Sequence, residues 1–173
     1  MDQYLSGEPD APPMPPVLGV LGRHPGLASA WLQFNGVLLN STVLDARHRE
    51  LLILRVAWLA GSDYEWQQHA RIGREAGLTT AEVEAVPLGP DAATWNLAER
   101  SLLLAADELF ERQTVSDATW EQLAAFLDDR QLLELLFVVG AYLGLALVFN
   151  GLGIEAVPRR DGAPARAPRE PET

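Results

Sequence analysis

The run LLFVVGAYLGLALVF, residues 135–149, constrains this chain more than any other stretch. It follows Glu134 directly and is short for a bilayer span, which takes about 20 apolar residues. It therefore reads as a helix buried at the centre of a domain. Residues 44–61, LDARHRELLILRVAWLAG, are apolar at nearly every step after Glu50, with Asp45 as a possible N-cap and Gly61 as a stop. That density again predicts a helix buried on most sides. A chain of 173 residues has room for one domain with a substantial core around this pair.

The rest of the chain is helical in pattern too. PGLASAWLQFNGVLL (25–39) opens on Pro at a first helical position. SDYEWQQHARIGREAG (62–77) and TTAEVEAVPLG (79–89) each begin with a Ser/Thr-x-x-Glu pattern, the signature of a capping box. Further helices are expected over 91–112, 116–129 and 130–153, and no run alternates as a strand would. The expectation is an all-α bundle of about seven helices over residues 16–157. Pro-rich segments flank it, 1–15 before and 158–173 after, and both read as extended and flexible. Gly140 and Gly144 share one face of the last helix, where small residues let a neighbouring helix come close. The two apolar helices would be better covered in an oligomer.

Charge and composition remove several functions. The formal net charge is −11, which disfavours nucleic acid and anionic membrane surfaces as partners. There is no Cys, so thiolate chemistry, a CxxC redox pair and cysteine–zinc sites are excluded. All thirteen basic residues are Arg, so no lysine is present to form a Schiff base, with pyridoxal phosphate or a carbonyl substrate. The acidic N-terminus carries no secretory signal pattern, and a cytoplasmic location is expected.

Chemistry concentrates in GSDYEWQQHA, residues 61–70. Read as helix, this stretch puts Ser62, Glu65 and His69 on one stripe. A hairpin through Gly61 would carry Glu50, from the preceding helix, toward His69. A carboxylate that orients an imidazole makes a proton-transfer pair, because imidazole titrates near working pH. The plain alternatives are an i,i+4 surface pair for Glu65 and His69, and an Arg partner for Glu50. Ser62 reads as a helix cap or a substrate contact, and Tyr64 and Trp66 as packing residues or one wall of a pocket. His48 is expected to be exposed, and His24 to order the first helix. Glu50, Glu65 and His69 do not have metalloprotease spacing, so neither metal nor other cofactor is expected. Tyr142 needs a polar partner or a cavity, since it sits on the most apolar helix.

The spacing of Glu50, Ser62, Glu65 and His69 resembles the Glu…Cys-x-x-Cys…His pattern of the carboxymuconolactone decarboxylase and AhpD-like (alkylhydroperoxidase D) superfamily. Ser62 and Glu65 stand where AhpD-type peroxidases have cysteine. YEWQQH looks like the cysteine-less branch of that superfamily, and RHPGLASAW, RELLILRVAWLAGSDYEW and AADEL agree with it. The resemblance implies an AhpD-like helical bundle assembled as a homotrimer or homohexamer, with a site near a subunit interface. It does not imply peroxidase activity, which needs a thiolate to attack peroxide and a second Cys to resolve the product. It implies instead a lyase or isomerase acting on a small cyclic or unsaturated carboxylic acid. His69 would be the acid/base, Glu65 and Glu50 its partners, and an arginine such as Arg47 the carboxylate anchor, with Arg49, Arg55, Arg71 and Arg74 also near. The competing expectation is a non-catalytic oligomeric binding or scaffold protein on the same fold.

Overall fold

The computed structural model describes residues 16–40 and 42–154. Eight α-helices make up this region: α1 (Pro16–Leu21), α2 (Pro25–Asn40), α3 (Ala46–Leu59), α4 (Asp63–Glu75), α5 (Thr80–Ala85), α6 (Leu97–Arg112), α7 (Asp117–Ala124) and α8 (Asp129–Gly151). A short 3-10 turn, Val86–Leu88, follows α5, and no strand occurs among the described residues. Pro87 sits inside that turn, where its missing N–H ends the α-helical ladder. The sequence pattern missed α1 as a separate element, since six residues are too few to show periodicity. The flanking segments 1–15 and 158–173 lie outside the described residues.

Helix α3 is the axis of the bundle. From Arg49 to Ala57 every residue is buried, so α3 has no solvent face over that span. It packs on α4, α6 and α8, and the turn after α5 closes over it. Asp45 caps its start by accepting from the Arg47 and His48 amides. Gly61, at φ 64°, lets the chain leave α3 in a left-handed turn and start α4 at once. The hairpin is tight further along as well. A Cβ on Gly73 would lie 3.0 Å from a Leu78 methyl and 3.4 Å from one of Leu54, so glycine there lets α4 lie close to α3.

Polar residues around this core serve local ends. The Glu134 carboxylate accepts from the Val43 and Leu44 amides and the Thr42 hydroxyl, which fixes the entry to α3 against α8. Asn150, on the apolar α8, donates to the Ala60 carbonyl at 2.8 Å and covers the end of α3. His24 Nδ1 accepts from the Leu27 amide at 3.1 Å, ordering the first turn of α2. His48 differs from its expected exposure, because it is half-buried with its ring edge-on to Phe126.

Helix α8 has 23 residues, long and apolar enough by length and composition to cross a membrane. That corrects the reading from its densest apolar run alone. Its packing is that of a core helix, with Leu132, Leu135, Val138, Val139, Tyr142, Leu145, Ala146 and Phe149 buried against the bundle. Its other face presents Leu133, Phe137, Leu147 and Val148 outward, and Gly140 and Gly144 lie on the same side with no atom near where a Cβ would be. No other described helix uses the small-residue stripe.

Candidate active site

Helix α4 brings Glu65 and His69 inward, and α3 brings Glu50 to meet them. His69 Nδ1 lies 2.6 Å from Glu50 Oε2. A carboxylate can only accept, so the proton sits on Nδ1 and Nε2 is left to exchange protons elsewhere. The other Glu50 oxygen accepts from Arg49 Nε at 3.1 Å, and Arg49 is held in turn by the Leu39 carbonyl. Glu50 is fully buried, and a carboxylate there is tolerable because both oxygens are engaged. The Tyr142 ring packs edge-on against the imidazole, with centroids 4.9 Å apart, and fixes its plane. Burial, together with the neighbouring Glu50 and Glu65, pushes the Tyr142 hydroxyl well above the usual phenol range, so it stays protonated.

Glu65 contrasts with Glu50. It is 1% exposed, and neither carboxyl oxygen has a hydrogen-bond partner among the described residues. Burial pushes its carboxyl up to about 9, so at neutral pH it is a neutral acid and a hydrogen-bond donor. This corrects the expected capping box. Ser62 occupies the N-cap position but makes no side-chain cap bond, and its buried hydroxyl also lacks a partner among the described residues. The second box is formed, by Thr79 and Glu82. The difference is burial: Glu82 lies near the surface and can turn back to the Thr79 amide, whereas Glu65 faces the interior.

A testable consequence concerns stability. The unfolded carboxyl ionises near its ordinary 4.5, the folded one near 9. Below the lower value both states hold the proton and Glu65 costs nothing from ionisation; as pH rises toward the upper value the unfolded state is progressively favoured. Glu65→Gln is therefore expected to gain stability relative to wild type between about pH 5 and pH 9, by on the order of a few kcal/mol. Urea denaturation of both proteins across that range checks it. Parallel pH profiles would mean that Glu65 is ionised in the folded protein.

Glu65, His69 and Tyr142 open onto a cavity of about 290 Å³, at the small end of ligand pockets. Glu65, Gln68, His69 and Ile72 of α4 and Tyr142, Leu145 and Phe149 of α8 form one side. Trp31, Asn35 and Leu39, spaced by four on α2, line the cavity as well. Val17, Leu18 and Leu21 of α1 cover it. Tyr64 joins the lining, its ring edge-on to Phe149 at 5.1 Å and in hydrogen-bond contact with the Val17 backbone, which ties α1 down. The Asn35 side-chain oxygen is buried and unpartnered among the described residues.

Not every expected site residue is here. Trp66 stacks at a tilt on Trp58, 5.8 Å away, and is not part of the cavity lining. Ser62 is buried behind it rather than on its wall. Arg47 is spent elsewhere, held by Glu82 and Glu99 at 2.6 Å each and by the Gly77 carbonyl. That guanidinium holds the Glu82 carboxyl down at about 2. Arg55 pairs with Asp107 and Arg71 with Glu75, and among the described residues no arginine lines the cavity. The sequence reading missed Asn35, Trp31 and the α1 cover. The signal for the first two was their four-residue spacing with Leu39 inside an otherwise ordinary helix. Among the described residues no cluster of three His, Asp or Glu side chains has the arrangement of a metal site.

The fold and these positions meet known proteins at two levels. Residues 25–108 match the model of the carboxymuconolactone decarboxylase family. The bundle superposes on the alkylhydroperoxidase AhpD core of a peroxidase-related protein from Ralstonia eutropha, with TM-score 0.78 and 17% identity over 90% of this chain and 84% of that one. The family match over residues 25–108 and the shared fold make the chain similar to the carboxymuconolactone decarboxylase and AhpD-like superfamily. The AhpD-related protein ATU0492 of Agrobacterium tumefaciens is similar too, with TM-score 0.74 and 18% identity over 80% and 95% of the two chains. So is a debrominase bound to 2,3,4-tribromopyrrole, with TM-score 0.70 and 15% identity over 79% and 74%. At these identities the structures share the fold, and the superfamily fold evidently carries more than one chemistry. No curated protein matches the sequence. This chain has no cysteine, so the thiol chemistry of AhpD-type peroxidases has no sulfur to run on here.

Proposed function

We propose that this AhpD-like chain is a cofactor-independent lyase or isomerase working by acid–base chemistry on a small cyclic or unsaturated substrate. The observation that carries the reading is the Glu50–His69 bond of 2.6 Å at the wall of a small, largely apolar cavity. Glu50 orients the imidazole and selects its tautomer, His69 Nε2 moves the proton, and Glu65 supplies a neutral acid beside it. An unsaturated carboxylic acid, the substrate class implied by the family resemblance, would meet no arginine among the described residues of the cavity wall. Its anchor would be the imidazolium and the Glu65 hydrogen bond.

The test is a panel of small unsaturated acids, lactones and cyclic enones incubated in D2O. Carbon dioxide release reports decarboxylation, and deuterium incorporation reports reversible proton transfer at carbon. Turnover by wild type and its loss in His69→Gln are expected. Turnover that survives in His69→Gln would remove the imidazole from the mechanism.

A second reading, a non-catalytic oligomeric scaffold, draws support from the outward apolar faces of α2 and α8, where Phe34 and Phe137 meet edge-on at 6.0 Å. Self-association through that face, as a homotrimer or homohexamer, is compatible with either reading. The scaffold reading alone expects Glu50, Glu65 and His69 all to be dispensable.

A further inference from the structure

Arg49 and Glu50 are neighbours in sequence, and side chains one residue apart on a helix do not face each other. They meet here all the same: Arg49 Nε donates to Glu50 Oε1 at 3.1 Å, and both residues are buried. The guanidinium has a second hold. Its Nη1 donates at 3.2 Å to the carbonyl of Leu39, in the last turn of α2, where helix carbonyls lack an intrahelical partner. Leu39 lines the cavity and Glu50 orients His69, so one side chain joins the end of α2 to the acid–base pair. Its charge reaches further, since at the Tyr142 hydroxyl it opposes the upward push of burial, Glu50 and Glu65.

Among the described residues, the titratable groups that touch His69 or share its cavity wall are Glu50 of α3, Tyr64 and Glu65 of α4, and Tyr142 of α8. Helices α1 and α2 line the cavity without one. Helix α5 also packs on α4, but its Glu82 is turned to Arg47 and its Glu84 is exposed. Both tyrosines and Glu65 keep their protons at neutral pH, so Arg49 and Glu50 set the charge beside the imidazole. A Glu50 carboxylate with no other partner would favour the imidazolium, which has no lone pair left on Nε2 to take a proton. We propose that Arg49 is a positioning residue for His69: by engaging the second Glu50 oxygen it leaves less of that charge to hold a second proton on the imidazole, so that Nε2 serves as a base. This rests on the acid–base reading of the site and adds the residue that tunes it.

The experiment is a nitrogen NMR titration of the full chain labelled with 15N in its histidine rings, with His69→Gln identifying the His69 signals. In wild type at neutral pH, Nδ1 is expected to carry the proton and Nε2 to be bare. Arg49→Gln, which removes the charge, should hold the second proton to a pH about one unit higher, a tenfold change at fixed pH. Arg49→Lys, which keeps the charge, should restore most of the wild-type titration. Added to Glu50→Gln, Arg49→Gln should change little, because its effect runs through the carboxylate. With any probe that wild type turns over, the acid limb of the kcat/KM profile should move with the titration. A doubly protonated wild-type imidazole at neutral pH, a titration indifferent to Arg49→Gln, or equal shifts in the Gln and Lys variants overturns the proposal. Should Arg49→Gln fail to fold, wild type and Arg49→Lys decide it: one shared titration supports the proposal, and two different ones sink it. The expected titrations with no turnover of any probe support the Arg49 effect and count against the acid–base reading instead.

Discussion

Glu50→Gln is expected to lower turnover by on the order of 10²–10⁴-fold while leaving the helical fold intact. The amide is nearly the size of the carboxylate, so packing at this fully buried position is preserved. What changes is the bond to His69. A carboxylate accepts only, which places the proton on Nδ1 and leaves Nε2 free to act as a base. An amide can donate to Nδ1 as easily as it accepts, and donation puts the proton on Nε2, the wrong nitrogen for abstraction. The negative charge that would balance an imidazolium is lost as well. Arg49, which the carboxylate also engages through Nε, is left with the Leu39 carbonyl. The measurement is kcat against KM on whichever probe wild type turns over, with circular dichroism and thermal melting as controls. A fall confined to kcat, at unchanged melting temperature, is the result expected of an orienting carboxylate. Unchanged kcat would leave Glu50 as a structural partner of Arg49 and no more.

The second large effect concerns stability. Arg55→Met should cost about 3–5 kcal/mol, which for a chain of this size lowers the melting temperature by roughly 10 °C. Arg55 lies in the buried span of α3 and donates to both Asp107 oxygens, at 2.5 and 2.9 Å, and to the Val86 carbonyl at 2.9 Å. One side chain thus ties the axis of the bundle to α6 and to the turn after α5. Gly89, at φ 82°, approaches that guanidinium so closely that a Cβ would lie 3.0 Å from it. Methionine keeps most of the stem volume, so the loss isolates the polar contacts. Asp107 is partly exposed and can rehydrate, which places the cost toward the lower end. Calorimetry checks it. A loss below about 1 kcal/mol would put this pair in the class of surface ion pairs.

Much of this was legible beforehand because helices write their own punctuation. Gly61 and Gly77 both take positive φ at the helix ends where the sequence suggested stops, and Asp45 and Thr79 cap where caps were expected. The approach of Glu50 to His69 followed from a hairpin whose turn was visible as Gly61. The failures share a cause as well. Ser62-x-x-Glu65 and Thr79-x-x-Glu82 are the same local pattern, yet one closes into a capping box and the other does not. Arg47 looked like a carboxylate anchor because it lies near Glu50 in sequence, but Glu82 and Glu99, from distant helices, bind it first.

Residue order alone was enough for the helices, the absence of thiol and Schiff-base chemistry, and which few residues could move a proton. Those are consequences of local periodicity and of side-chain inventory. Which carboxyl finds partners is settled by tertiary structure alone. Glu50 meets Arg49 and His69 and is satisfied; Glu65, three residues into the next helix, lines the cavity with neither oxygen hydrogen-bonded among the described residues. Solvation and partner geometry set a carboxyl's character, and both are properties of the packed bundle rather than of the chain.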